Sequence, residues 1–390
     1  MKNNSTDNKV TKKKKIVEDT EKEEITKKSS NKIDNKKKVI KKKKKKKNKF
    51  KYEIKTWMIV VLIILDMGAL FCLGLAYGPY KGFKEYIITT AMATMNHKYV
   101  ARFLYSEETI NEVLKNNTIV EVDENTNTDA ITIGQYKSDS FESVYDEQVL
   151  KKDEGNDLYK TFKFKEGGST FYVTAIYDPS KIDLVSSKRP GVIGQTIKTI
   201  TKNNNGIVGI NASGFEDAGG MGNGARPTGT VIQNGKITWK GKPNRWGGGL
   251  IGFNKDYKLV LTKESPAKAI KNGMIDAVTF GPFLIVNGKA AKIKGNGGSG
   301  YQPRTIIAQR QDGVVLFFVI DGNGNKTGFR GGVSFNKMIE VLKRYKAYNA
   351  ANLDGGASSI LIINNKIINH PVGYDATGER FHPNAWIVRK

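Results

Sequence analysis

Residues 303–322 read PRTIIAQRQDGVVLFFVIDG. Two apolar runs, 305–309 and 314–320, flank a four-residue loop, 310–313, that ends in Asp312-Gly313. The runs are rich in β-branched and aromatic residues, and Asp-Gly accepts the left-handed backbone that joins antiparallel strands. The passage therefore predicts a buried hairpin. The same texture recurs outward from it, in FYVTAIY (171–177), GIVGI (206–210), TVIQ (230–233), YKLVL (257–261), FLIV (283–286) and ILII (360–363). Asn234-Gly235 and Asn287-Gly288 each sit between short apolar runs and predict two more tight turns. One helix is clear over 334–347, where Ser334 is placed to cap and Phe335, Met338, Ile339 and Leu342 share a face. A shorter helix is expected around 189–200. Many hairpins with few helices predict an α+β domain with a mixed, mostly antiparallel β-sheet core, here over 166–390.

The other end of the chain has a different composition. Residues 1–56 hold 23 lysines against 8 acidic residues, a net +15 of the chain's +26, and 41–47 is an unbroken lysine run. Such a stretch buries too little apolar surface to offset its chain entropy, so it is expected to be a disordered tail. The charge is concentrated there rather than spread over the chain, which argues against a nucleic-acid-binding protein. Residues 57–77, WMIVVLIILDMGALFCLGLAY, follow, with Asp66 as the sole charge. Twenty-one residues at about 1.5 Å each match a hydrocarbon core of about 30 Å. A cleaved signal peptide is the rival, but the basic region is very long, the apolar run is too long, and Pro79 follows directly. An uncleaved anchor over 57–78 is favoured. The lysines precede it, which predicts a cytoplasmic N-terminus and an extracellular C-terminal domain. Anionic lipid is the expected partner of the tail, at roughly 1 kcal/mol per basic residue near the surface. Asp66 suits either a membrane partner or a protonated stray.

Residues 79–165 are expected to be a juxtamembrane helix and a linker. Ile87, Ala91, Met95, Tyr99 and Phe103 recur every four residues, giving a stripe over 83–105 that suits a stalk, packing on the domain, or the membrane surface. The one cysteine, Cys72, lies in the apolar run, so no intrachain disulfide forms and the domain is held by its core.

Four loops can carry chemistry. Asn352-Leu353-Asp354-Gly355-Gly356-Ala357-Ser358-Ser359 joins the 334–347 helix to the strand at 360–363. An acid, two glycines and two hydroxyls suit close approach to a sugar or phosphate, and equally a plain turn capped by Asp354. Asp321-Gly322-Asn323-Gly324-Asn325 follows a buried strand, a position that suits catalysis, calcium ligation or a simple turn. It lacks the glycine and the glutamate of an EF-hand loop, with Gly332 standing at the twelfth position. Asn211-Ala212-Ser213-Gly214-Phe215 opens a glycine-rich stretch, and Arg304, in Gln302-Pro303-Arg304-Thr305, has the planar donor fork of a phosphate clamp, although a surface ion pair is commoner. His97, His370 and His382 lack the spacing of metal ligands, and His382 is the one that could line a site. There is no G-x-S-x-G elbow, no P-loop, and no cysteine outside the apolar run. Neither a metal nor a cofactor is expected.

Taken in order, NASGF (211–215), PTG and NG (227–235), FGPFLIVNG (280–288), PRT (303–305), VIDG (319–322) and NLDGGASS (352–359) resemble the phosphodiester glycosidase family, that of the lysosomal uncovering enzyme and bacterial exopolysaccharide-associated proteins. The resemblance covers about 170–390, and the closing run at 364–388 and the juxtamembrane 89–108 are similar to bacterial members. It departs from the family at Ala212 and Ser213, at Asn323 where an arginine is usual, and at Ala357 in place of a third glycine. The resemblance implies hydrolysis of a sugar 1-phosphodiester of N-acetylglucosamine type, in cell-envelope polysaccharide or teichoic-acid-like material. Asp354 would be nucleophile or base and Asp321 the second carboxylate. Arg304 would hold the phosphate, Asn211 the sugar or phosphate oxygens, and Gly355, Gly356, Ser358 and Ser359 would complete the pocket. Lys326 or Arg330 would stand in for the missing arginine. The alternative is a non-catalytic module that binds envelope glycan or scaffolds exopolysaccharide assembly. The lysine- and asparagine-rich, disulfide-free composition fits a Gram-positive bacterium.

Overall fold

The computed structural model describes residues 7–93, 97–217, 222–242, 248–322, 331–373 and 375–390. The family-arginine position, Asn323, lies outside them, as do Asn325, Lys326 and Arg330. The chain divides into two compact units, Met1–Tyr80 and Lys81–Lys390.

The first unit is one helix, Asp7–Tyr77. The lysine-rich tail, expected to be disordered, is helical from Asp7. No glycine or proline interrupts the sequence before Gly68, and lysine and glutamate are good helix formers. The helix includes one stretch long and apolar enough to cross a membrane. Apolar side chains such as Trp57, Ile64 and Phe71 are exposed along it, the surface expected of a helix that meets lipid rather than a protein core. The chain fits a single-pass membrane protein.

The second unit is α+β, and every strand pairing among the described residues is antiparallel. A seven-stranded sheet runs Lys289–Ala290, Phe283–Val286, Ala347–Asn352, Arg304–Arg310, Val315–Ile320, Ser169–Ile176 and Tyr159–Glu166. A five-stranded sheet, called here the C-terminal sheet, runs Lys366–Ile367, Leu361–Ile363, Gly206–Asn211, Asn384–Arg389 and Ile182–Ser186. A second five-stranded sheet runs Lys236–Lys240, Thr230–Gln233, Met274–Phe280, Gly249–Asn254 and Leu259–Thr262.

The three sheets share one core. Val315, Phe317 and Val319 of the opening hairpin pack there with Val208 and Trp386 of the C-terminal sheet and with Ile251 and Val278 of the other. The alternate residues Leu316, Phe318 and Ile320 face the opposite side, against Met338 and Leu342 of the helix Phe335–Arg344. This period of two places both faces of the hairpin out of water. Burying each large apolar side chain contributes about 1.5–3 kcal/mol.

The tight turns form where the dipeptides predict them. Asn234 and Gly235 both take positive φ (50° and 68°), as do Asn287 and Gly288 (53° and 73°), the backbone of a two-residue hairpin loop. Asn364-Asn365 makes a third such turn (49° and 62°) without glycine, because asparagine tolerates this region. Ser334 accepts from the Lys337 amide at 3.4 Å and caps its helix as expected. The helix expected around 189–200 lies at Ile197–Asn203, capped by Thr196.

The stripe over 83–105 does not hold as one helix. Lys81–Ala93 and Lys98–Leu104 are separate, and Met95 lies outside the described residues. Ala91 is buried, whereas Tyr99 and Phe103 are 66% and 86% exposed, so the four-residue spacing does not mark one packed face. The stretch read as a linker is carried on the domain. Ile119–Val120 pairs with Lys292–Ile293, Glu121 accepts from the Phe283 amide at 2.7 Å, Thr126 both donates to and accepts from the Leu261 backbone, and Tyr159–Glu166 is an edge strand.

Candidate active site

Antiparallel register brings the motifs to one end of two sheets. Arg304 stands opposite Ile320, Ile306 opposite Asn352, and Ala385 opposite Asn211. The strands Gly206–Asn211, Val315–Ile320 and Ala347–Asn352 therefore finish where Arg304–Arg310 and Asn384–Arg389 begin. The NASGF, VIDG, NLDGGASS and PRT segments gather there.

Asn211 ties the two sheets together. It is fully buried, its Nδ2 donates to the Asp354 carbonyl at 2.7 Å, and its Oδ1 accepts from the Thr305 hydroxyl at 2.9 Å and the Ile360 amide at 3.3 Å. These bonds fix both flanks of the Asp354 loop and fill the Oδ1.

The loop is a short 3-10 turn, Gly356–Ser358. Its two glycines have different causes. A Cβ on Gly355 would meet the Pro303 carbonyl at 2.8 Å, and Gly356 has φ +61° with open space around it. The Gly356 amide donates to the Pro303 carbonyl at 2.8 Å, and the Ser358 and Ser359 amides close the turn on Gly355 and Gly356. The glycine motif thus seats the loop against a neighbouring strand.

The partly buried Asp354 carboxyl is pushed up to about 6, chiefly by burial. The Ser358 hydroxyl, the Arg380 charge and the Gly355 amide pull the other way, and the Asp217 charge adds to the rise. Arg380 is aimed by two contacts, a 2.7 Å ion pair with Asp217 and a stack 4.5 Å over the Phe215 ring. Asp217 also accepts from the Gly222 amide at 2.6 Å. His382, 1% exposed, lies edge-on to Phe215 and is pushed down to about 3, first by burial and then by Arg380, so it is neutral at physiological pH.

Asp321 is 4% exposed on the same side of the seven-stranded sheet as Thr305. It accepts from Asn369 Nδ2 at 2.9 Å and from the His370 backbone amide at 2.9 Å, with His370 Nδ1 at 3.2 Å. Asn369 also donates to the Ser359 carbonyl at 3.0 Å and accepts from the Leu361 amide at 2.9 Å, linking Asp321 to the far end of the Asp354 loop.

Arg304 stands apart. Its side chain leaves the other face of the sheet, lies 3.9 Å over the Phe335 ring, and donates to the Val333 and Gly300 carbonyls and the Ser299 hydroxyl. Burial alone pushes it down to about 9. The structure brings together Asp354, Asp321, Asn211, Gly355, Gly356, Ser358 and Ser359, and directs Arg304 away from them.

Ser359 Oγ, Asn352 Oδ1, His382 Nδ1 and Asn384 Nδ2 are buried at this end of the sheets without a hydrogen-bond partner among the described residues. Such a polar seam suits ordered water or a polar ligand. Among the described residues, no three histidine, cysteine or acidic side chains group as a metal site. Residues that sequence reasoning missed are Arg380, Asp217, Asn369, His370 and Tyr172. Arg380 and His370 lie in the closing run, and their roles depend on contacts with residues more than 40 positions away.

Residues 204–389 match the phosphodiester glycosidase family. The chain is 25% identical over 181 residues to bovine (Bos taurus) N-acetylglucosamine-1-phosphodiester alpha-N-acetylglucosaminidase, across 38% of this chain and 34% of that one. It is 25% identical over 212 residues to the SPbeta prophage-derived uncharacterized protein YomE of Bacillus subtilis (strain 168), across 50% and 30%. The alignments thus span about a third of the length of these relatives. Among solved structures, the zebrafish N-acetylglucosamine-1-phosphodiester alpha-N-acetylglucosaminidase catalytic domain, auto-inhibited by pro-peptide, aligns at TM-score 0.49 and 16% identity, covering 61% of this chain and 85% of that one.

Proposed function

We propose that the chain hydrolyses a sugar 1-phosphodiester of N-acetylglucosamine type, in cell-envelope polysaccharide or teichoic-acid-like material, with its C-terminal domain outside the membrane. The observation that carries this reading is the Asp354 carboxyl, lifted to about 6 on a loop that three separate interactions hold in place. A carboxylate with that value is mostly charged at neutral pH and is basic enough to take a proton from water. The activity in the name of the bovine relative supplies the substrate class.

In this reading water attacks the anomeric carbon, Asp354 acts as base or nucleophile, and the phosphate departs as an anion. Arg380 supplies positive charge beside Asp354, and Ser358 orients its carboxyl. Asp321 is the second carboxylate. Asn211 positions the loop from beneath rather than touching the sugar. The order of basic tail and apolar run supports an inward N-terminus held by anionic lipid.

The test incubates the full chain in detergent with N-acetylglucosamine-α-1-(methyl phosphate) and measures free sugar, with Asp354→Asn as control. Release by the parent and not the variant is expected. Saturable binding without release would replace hydrolysis with an envelope-glycan-binding module.

A further inference from the structure

His370 is the feature of this site that the reading above leaves unused. Its side chain is 80% exposed, yet its ring is not loose. Nδ1 lies 3.2 Å from Asp321 Oδ2 and 3.3 Å from the Tyr172 hydroxyl, and the His370 backbone amide donates to the same Oδ2 at 2.9 Å. Asn369 Nδ2 fills the other carboxylate oxygen at 2.9 Å. A buried acid that fixes one ring nitrogen turns the second, Nε2, toward solvent. Backbone and asparagine contacts alone would secure the loop, so they do not explain why an imidazole stands there with Nδ1 inward.

Its place is beside the Asp354 loop. Ile320, next to Asp321, stands opposite Arg304, and the carbonyl of the preceding Pro303 takes the Gly356 amide. Asp321 and Asp354 thus flank the start of one strand. Asn369 then bridges from Asp321 to the Ser359 carbonyl.

We propose that His370 is a catalytic residue of the phosphodiester cleavage and Asp321 its positioning residue, with Nε2–H meeting the phosphoryl oxygen attached to the sugar. The proposal rests on the hydrolytic reading. As the C1–O bond breaks, its electron pair stays on that oxygen, which takes the Nε2 proton. Water adds its oxygen to C1 and its proton to Asp354, and both side chains regain their starting states by exchange with solvent. The products are the free sugar and a phosphate monoester. Among the described residues, the titratable groups facing the ring are Asp321 and Tyr172. Tyr172 is pushed up to about 12 by burial and by Asp321, so it keeps its proton through the working range.

The experiment measures kcat and KM for release of sugar from N-acetylglucosamine-α-1-(methyl phosphate) by the full chain in detergent. Parent, His370→Gln, Asp321→Asn, the double variant and Asp354→Asn are compared. His370 is exposed, so His370→Gln is expected to melt as the parent does and to lose roughly 10²-fold in kcat/KM, carried by kcat with KM within about threefold. Adding Asp321→Asn to it should cost no more than about threefold further, because the carboxylate acts through the ring. A parent and His370→Gln of equal rate, a loss carried by KM rather than kcat, or losses that multiply would each overturn the proposal while an inactive Asp354→Asn leaves the hydrolytic reading standing. A parent that releases no sugar overturns the hydrolytic reading and this proposal with it.

Discussion

Asp354 and Asp321 flank one strand end, yet they are held in opposite ways. Asp321 is buried and its oxygens accept from Asn369, from the His370 amide and from the side of the His370 ring. Asp354 has burial as its dominant influence, with Asp217 adding like charge, against Arg380, Ser358 and Gly355. The difference teaches that two acids at one strand end can be held by different means, one by donors on both oxygens and the other chiefly against burial. A carboxyl that burial lifts to about 6 exchanges its proton near neutrality and suits chemistry. One surrounded by donors suits holding another group in place.

The sharpest way to break this comparison is Asp354→Asn. Release should fall by about 10³-fold or more, the scale lost with a catalytic carboxylate. The same change should stabilise the fold. A carboxyl lifted to about 6 binds its proton more tightly folded than unfolded, so its effect on stability is least unfavourable below the unfolded value of 3.8 and worsens as pH rises through 6. An asparagine that escapes this cost should gain up to about 3 kcal/mol at pH 8 and little at pH 4, measured by denaturant melts. Lower stability at pH 8 would show that the folded site favours the charged Asp354 carboxylate.

Asn211→Ala is next in size. It strands the Asp354 carbonyl, the Thr305 hydroxyl and the Ile360 amide, for a loss of about 2–5 kcal/mol by the same melts. A loss under about 1 kcal/mol would mean that water replaces the side chain freely.

The acid side of the rate profile sharpens the comparison from another direction. With Asp354 required as an anion, kcat/KM should drop about tenfold per unit below pH 6. A limb centred near 4 would point to a carboxylate with ordinary surroundings.

Arg304→Met should have the smallest effect on substrate. Because the guanidinium faces Phe335 and Val333, KM for the diester should stay within about threefold while stability falls. A tenfold rise in KM would restore Arg304 as a phosphate clamp.

Much of this was legible in the chain. The hairpin at 303–322 and the Asn-Gly turns follow from β-branched apolar runs and turn chemistry, which are local, whereas the gathering of the four motif loops depends on register between distant strands. The direction of Arg304 was not. It is the first residue of its strand, and only the register with Ile320 tells that it leaves one face while Thr305 leaves the other. Arg380 and Asp217 were missed for a related reason, since 163 positions separate the two halves of that ion pair. Residues 106–165 looked like a linker because their ties to the domain are dispersed, from buried Ile110, Val149 and Leu150 to the bond of Glu121 with Phe283, and no single apolar period runs through them.

The three bonds of Asn211 have a consequence for genetics. A screen that scores activity alone would place Asn211 beside Asp354, as two positions where nearly any replacement silences the protein. Scoring abundance in the same library would part them, with Asp354 variants accumulating normally and Asn211 variants disappearing. The first residue of the most recognisable loop would then be identified as a rivet between two sheets.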